Sequence, residues 1–202
     1  MNNQISKEII DSEIKIYDRL FPFGFILLMS IYFVILGWSQ EISLFGNKLS
    51  LLNFAYIFSI AAPFYFGYIN RIFNTIRGVL SQDEEGMSDN LYDSVTSKGL
   101  FNIYYSPTKD IPINGSINKF LLFIIMFTSI ALMISFIRET AMNKYILGIL
   151  GLYLGKSHIS TITNIVKIDK LLLASRDKVI PTTGITIFMA IAISIVLYIY
   201  LN

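Results

Sequence analysis

The chain has no cysteine and only one histidine in 202 residues. Without cysteine there is no disulfide framework, thiolate nucleophile or thiolate metal site. A lone histidine gives no basis for a histidine-ligated metal. Charge is also scarce: Asp, Glu, Lys and Arg make up 15% of the chain, against about 25% in a soluble domain. The net charge of +2 is too small to imply direct nucleic-acid binding, which rests on a basic excess. Nucleophile-elbow, zinc-protease, P-loop and dinucleotide fingerprints are missing. No cofactor and no catalytic residue is expected.

What is present is apolar. Hydrophobic residues are 54% of the chain and mean hydropathy is +0.60. A chain of this length cannot hide so much apolar surface in one water-soluble core, and the same richness excludes disorder. The expectation is an all-α membrane protein, because lipid cannot satisfy free backbone groups. Four runs reach the roughly 20 apolar residues that cross a hydrocarbon core: Leu20–Trp38, Leu49–Ile69 (with Pro63 inside), Phe120–Ile137 and Thr183–Leu201, the last preceded by Pro181. Trp38 and Tyr32 are candidate interface aromatics. A fifth run, Tyr145–Val166, is apolar to Leu154 and polar beyond.

Charge decides whether that fifth run counts. Lys7, Lys15 and Arg19 precede the first span and only Lys48 follows it, which puts the N-terminus in the cytoplasm. If Tyr145–Val166 crosses, about twelve basic residues lie inside and about three outside; if it does not, the sides are equal. Five spans are therefore expected, four strong and one polar, in a helical bundle; the alternative is four spans plus a re-entrant or surface-lying helix. The pieces are a cytoplasmic amphipathic helix (1–19), a hairpin of spans (20–69), a cytosolic loop (70–119), the third and polar fourth spans (120–166), a cytosolic linker (167–182) and a last span (183–202). The first span reads as a signal anchor without a cleavage motif. Richness in Ile, Asn, Lys and Tyr suggests a bacterial chain, hence the inner membrane.

On a helical wheel Lys156, Ser157, Ser160, Thr161, Thr163, Asn164 and Lys167 share one broad arc, with Ile159, Ile162, Ile165 and Val166 opposite. Lys156, Ser160, Thr163, Asn164 and Lys167 are the candidate polar or pore-lining face. Gly148, Gly151 and Gly155 form a seam, in which Gly151 and Gly155 have the small-xxx-small spacing that suits close helix packing. A lysine in the bilayer is costly and should face water or a partner. The alternative is a long tilted helix that leaves the bilayer near Gly155, with Lys156 snorkelling to the headgroups. His158 is the one candidate proton sensor, or simply a hydrogen-bonded histidine.

In the soluble parts, Ile5, Ile9, Ile16 and Leu20 can share a face of an interfacial helix. Leu91–Tyr105 has strand character and Pro107, Pro112 and Asn114-Gly115 signal turns, so the loop predicts a small hairpin. A hairpin so small needs support, from a partner, the membrane or its own helical ends. Asp83, Glu84, Glu85 and Asp89 read as a solvated turn. The expected partners are membrane lipids, further copies of the chain, and a cytosolic protein held through 1–19 and 70–119.

In size, span number and cytosolic loop the chain resembles the KwaA family, membrane subunits of the bacterial anti-phage system Kiwa. The resemblance covers layout and no motif, so no residue carries over. It implies an inner-membrane homo-oligomer that recruits a cytosolic DNA-binding partner during infection. A small transporter or permease subunit is the alternative function. If Lys156 faces a wet axis, Lys156→Cys is expected to react with a membrane-impermeant thiol reagent applied from the cytosol; absence of labelling would place it against lipid or in a dry core.

Overall fold

A computed structural model of the chain describes residues 3–35, 41–44, 47–82, 88–96, 99, 101–104, 113–139, 144–175 and 183–201. Trp38, Asp83, Glu84, Glu85, Pro107, Pro112 and Pro181 lie outside them. The elements are α1 (Asn3–Ile35), β1 (Glu41–Leu44), β2 (Asn47–Ser50), α2 (Leu51–Leu80), α3 (Asp89–Val95), α4 (Ile113–Glu139), α5 (Lys144–Ser175) and α6 (Thr183–Leu201). The fold is a helical bundle, as the apolar runs predict. The two strands form one antiparallel hairpin pairing Glu41 with Ser50 and Leu44 with Asn47.

Ser50 starts α2: its extended backbone and its Oγ, which accepts from the Asn53 N–H at 3.3 Å, make an N-cap. Helix directions follow from cross-helix contacts. Tyr65 Oη donates to the Leu20 carbonyl at 3.0 Å, and Arg71 reaches Glu13 at 3.3 Å, so α1 and α2 run antiparallel. The two helices approach closely at Gly24, where a Cβ would collide with the Tyr65 ring. Lys119 meets Asp169 and Ser129 meets His158, so α4 and α5 are antiparallel. α4 touches α1, α2, α5 and α6, and its Leu122, Phe123, Ile125 and Met126 are buried. The core sits around it.

The expected interfacial helix over 1–19 is not a separate piece: α1 runs unbroken through Leu20. Ile10, Ile14, Tyr17 and Phe21 form one buried stripe at helical spacing; of the predicted face of Ile5, Ile9, Ile16 and Leu20, the last three are half-buried beside it and Ile5 is exposed. The expected linker over 167–182 is helical as far as Ser175, because Ile168 and Leu172 continue the buried stripe of α5.

The hairpin expected within Leu91–Tyr105 does not form among the described residues. Residues 91–95 belong to α3 and 101–104 make a bend and turn. Asn102 decides this locally. Its Nδ2 donates to the Val95 carbonyl at 2.9 Å, its Oδ1 accepts from the Tyr104 N–H at 2.9 Å, and its carbonyl accepts from Asn118 at 3.2 Å. The segment leans on its own helical ends. Phe21 packs on Phe101 at 4.9 Å, Tyr17 on Phe73 at 5.3 Å, and Phe73 on Tyr104 at 6.5 Å. Burial pushes the Tyr17 and Tyr104 phenols well above their ordinary value, so this aromatic cluster carries no charge.

Outward-facing residues change character along the helices. On α1 they run Gln4, Ile5, Lys7, Glu8, Ser12, Lys15 and Arg19, polar but for Ile5, then Phe23 and Ile26. On α2 they run Ile57, Ile60, Phe64 and Tyr68, then Arg71 and Asn74. On α5 they run Tyr145, Ile149, Leu152 and Ile159, interrupted by Lys156, then Thr163, Lys167 and Lys170. On α6 they are Ile185, Phe188, Met189, Ile191 and Ile195. Leu152 is 77% exposed and Phe188 74%. By length and apolarity together, one described stretch qualifies to cross a membrane, Gly115–Ile134; Thr183–Ala192 is a shorter apolar stretch. That is one, where the hydropathy runs lead one to expect five. The polar positions of α5 dilute it, and the side chains of residues 27–35 of α1 and of the end of α6 lie outside the described ones.

At one end of the bundle Lys119 Nζ lies 2.6 Å from Asp169 Oδ1, with both side chains under 10% exposed. Thr183 Oγ1 donates to Asp169 Oδ2, and the Lys119 ammonium sits 4.8 Å from the centre of the Tyr104 ring. Removing one partner strands the other as a buried charge. Lys119→Met is therefore expected to cost about 3–5 kcal/mol, and Lys119→Met with Asp169→Leu to recover most of it. Thermal unfolding in detergent measures both.

Candidate functional site

The polar residues of α5 do not form one surface. Ser157, His158, Thr161 and Asn164 are buried, Ser160 is half-buried, and Lys156, Thr163 and Lys167 are exposed. The packing boundary cuts through the polar arc instead of along its edge. Residues facing inward are spaced three and four apart (Leu154, Ser157, His158, Thr161, Asn164, Ile165, Ile168), so they make one continuous helical stripe. The polar arc is thus divided between an interior column and an outer groove.

The interior column is tied to α2 and α4. Asn164 Nδ2 donates to Asn70 Oδ1 at 3.2 Å. His158 Nε2 lies 3.0 Å from Ser129 Oγ and 2.9 Å from the Met126 carbonyl, and Phe66 covers the imidazole with ring centres 4.5 Å apart. Thr161 Oγ1 returns to the Ser157 carbonyl at 2.8 Å.

A serine 3.0 Å from a histidine has the composition of a hydrolase pair, which spacing in the sequence did not reveal. Its geometry is wrong for that chemistry. A carbonyl oxygen can only accept, so Nε2 facing Met126 carries the proton and cannot take one from Ser129. Ser129 Oγ itself donates to the same carbonyl at 2.7 Å. Ser129 is 0% and His158 2% exposed, so a substrate has no approach. The pair joins α4 to α5.

The groove lies between α2 and α5 and encloses about 620 Å³. It gathers four of the five predicted polar-face residues, Lys156, Ser160, Thr163 and Asn164, and two of the three seam glycines, Gly151 and Gly155. Asn74 and Arg77 of α2 complete its polar lining, with Leu152 and Ile159 as apolar lining. Lys167 does not line it. Sequence reading had no means to place Arg77 here, because its separation from Lys156 is bridged only by the pairing of α2 with α5. A Cβ at Gly148 or Gly155 would meet nothing within 4 Å, so neither glycine serves a close approach within the chain among the described residues. The one helix crossing made on a glycine of α2 is at Gly67, on which the Tyr153 ring sits. Among the described residues no group of His, Asp or Glu is arranged to hold a metal ion.

No protein-family model, curated protein or solved structure matches the chain.

The inward and outward halves of the arc should respond differently to truncation. Asn164→Ala leaves the half-buried Asn70 carbonyl without its donor and empties a buried polar position, and is expected to cost about 1–1.5 kcal/mol. Thr163→Ala, one residue away but exposed, is expected to stay within about 0.5 kcal/mol. Unfolding midpoints of the two variants in detergent test the division.

Proposed function

We propose that the chain is a multi-span protein of the bacterial inner membrane that acts without catalysis, relaying a change in the bilayer to a cytosolic partner. The observation that carries this is the exterior. The outward faces of α1, α2 and α5 pass between charged and apolar between Arg19 and Phe23, Tyr68 and Arg71, and Ile159 and Thr163. Contacts between helices put these transitions near one level: Leu20 with Tyr65, Phe66 with His158, Asn70 with Asn164. An apolar belt of that extent on a small protein is a membrane or partner surface. A bilayer explains why several helices change at the same depth.

On this reading α1, α2, α4, α5 and α6 are five crossings, with the N-terminus inside. Charged α1 before Leu20, α3, residues 101–104 and the end of α5 then form a cytosolic base. The exposed charges of α1 and the surface of α3 are where a cytosolic partner would bind, and the open glycines of α5 are available to a second copy of the chain. The layout likeness to the Kiwa membrane subunits suggests anti-phage defence as the setting.

The interior column argues against a conducting path within one chain. Its polar groups bond to one another and to carbonyls and are almost wholly buried, so a pore would have to lie between protomers. A small transporter subunit remains the second reading, and the observation favouring it is that α2, α4 and α5 each bring polar groups to this column.

A reporter fused after Asn202 is expected on the periplasmic side, and a cytoplasmic signal would remove a crossing. The mass of the detergent-solubilised complex tests assembly. A homo-oligomer carrying a cytosolic protein supports the relay, whereas a bare monomer supports the transporter.

A further inference from the structure

The groove between α2 and α5 holds charge that the fold does not use. Arg71 is paired with Glu13 and Lys119 with Asp169. Arg77 and Lys156 both line the groove, and neither has a carboxylate partner among the described residues. No acidic residue lines it. Thr163 spends its hydroxyl hydrogen on the Ile159 carbonyl at 2.8 Å, which leaves Arg77, Lys156, Ser160 and Asn74 as the donors facing the space. Two cations and neutral donors without a counter-charge make a site for an anion.

The remainder of the groove is not suited to a bare ion. A volume of about 620 Å³ is in the range that takes an organic ligand, about 300–1,000 Å³. Gly151 and Gly155 line it, and the position of a side chain is empty at Gly155 and, two helical turns back and beyond that lining, at Gly148. The furrow therefore runs from Lys156 back along α5, beside the exposed Leu152 and Ile149. It joins a cationic end, at the depth where α5 turns from apolar to polar outside, to an apolar channel on the other side.

We propose that this groove binds one anionic phospholipid, with its headgroup along the polar part of the groove from Lys156 toward Arg77 and an acyl chain over Gly155 and Gly151, toward Gly148. The proposal rests on the membrane reading above. It assigns the seam glycines a role other than helix packing: they leave room for a lipid tail. It also gives Lys156 the anionic partner that a lysine at that depth needs.

The test uses the full chain in detergent, titrated with short-chain phosphatidylglycerol, short-chain phosphatidylcholine and glycerol phosphate, with bound molecules counted by native mass spectrometry. Phosphatidylglycerol is expected to bind more tightly than phosphatidylcholine. Arg77→Gln and Lys156→Gln should each weaken it roughly fivefold. Gly155→Leu should weaken it without altering charge, whereas Lys170→Gln, an exposed cation outside the groove, should leave it unchanged. Equal weakening by Lys170→Gln would reveal general surface attraction and overturn the site. Glycerol phosphate binding as tightly as the lipid would overturn the lipid assignment in favour of a soluble phosphate. Flotation with phosphatidylcholine liposomes separates the two levels of the claim. A chain that fails to float overturns the membrane reading and the lipid with it, and a floating chain without preference for phosphatidylglycerol overturns the groove alone.

Discussion

Lys119 and Asp169 set the register of the bundle. Each stands near a helix end: Lys119 two turns into α4 and Asp169 two turns from the end of α5, with Thr183 at the start of α6 completing the contact. Two charges taken out of water gain little net stability, because desolvation offsets most of their attraction. Their effect is on choice. If α4 slid by one turn against α5, both charges would be left unpaired in a dry interior, so the alternative packings are heavily penalised. Tyr104, held by the Asn102 turn, lies against the ammonium. The short segment 101–104 and three long helices therefore share one anchor.

From that anchor the rest of α5 follows. With Asp169 fixed inward, helical spacing turns Ser157, His158, Thr161 and Asn164 inward as well, and Lys156, Thr163 and Lys167 outward. The inner face of α5 thus carries polar groups beside apolar ones: Asn164 and His158 have partners on α2 and α4, whereas Thr161 returns to its own helix and His158 Nδ1 has no hydrogen-bond partner among the described residues. Among the described residues the interior as a whole stays mainly apolar, and these polar side chains add specific links between helices to it.

The long helices were legible in the sequence because apolar runs of such length have few other uses. α6 begins at Thr183 as Pro181 suggests, and α2 continues past Ile69 to Leu80. The hairpin between α1 and α2 was not legible, being only four residues a strand. Leu91–Tyr105 misled for a definite reason: its aromatic and β-branched residues have strand propensity, but Asn102 offers the backbone competing bonds that close a turn. The candidate site was half legible. The wheel found which side chains of α5 were polar, but one helix alone cannot say where its neighbours cut the arc. Asp169 was overlooked because nothing in its flanks marks a linker acid as a buried one; its partner stands fifty residues away.

α1 has a further consequence. Its 33 residues form a rod about 50 Å long, against a hydrocarbon layer of about 30 Å. The rod contains Pro22, two residues past Leu20, where the exterior changes. Its charged portion is gripped by α3 and by Asp18, which accepts from the Phe101 N–H at 3.1 Å. Proline has no N–H to return to the Asp18 carbonyl, so α1 lacks one backbone hydrogen bond just where its outer face changes, and a tilt of one arm against the other is taken up there.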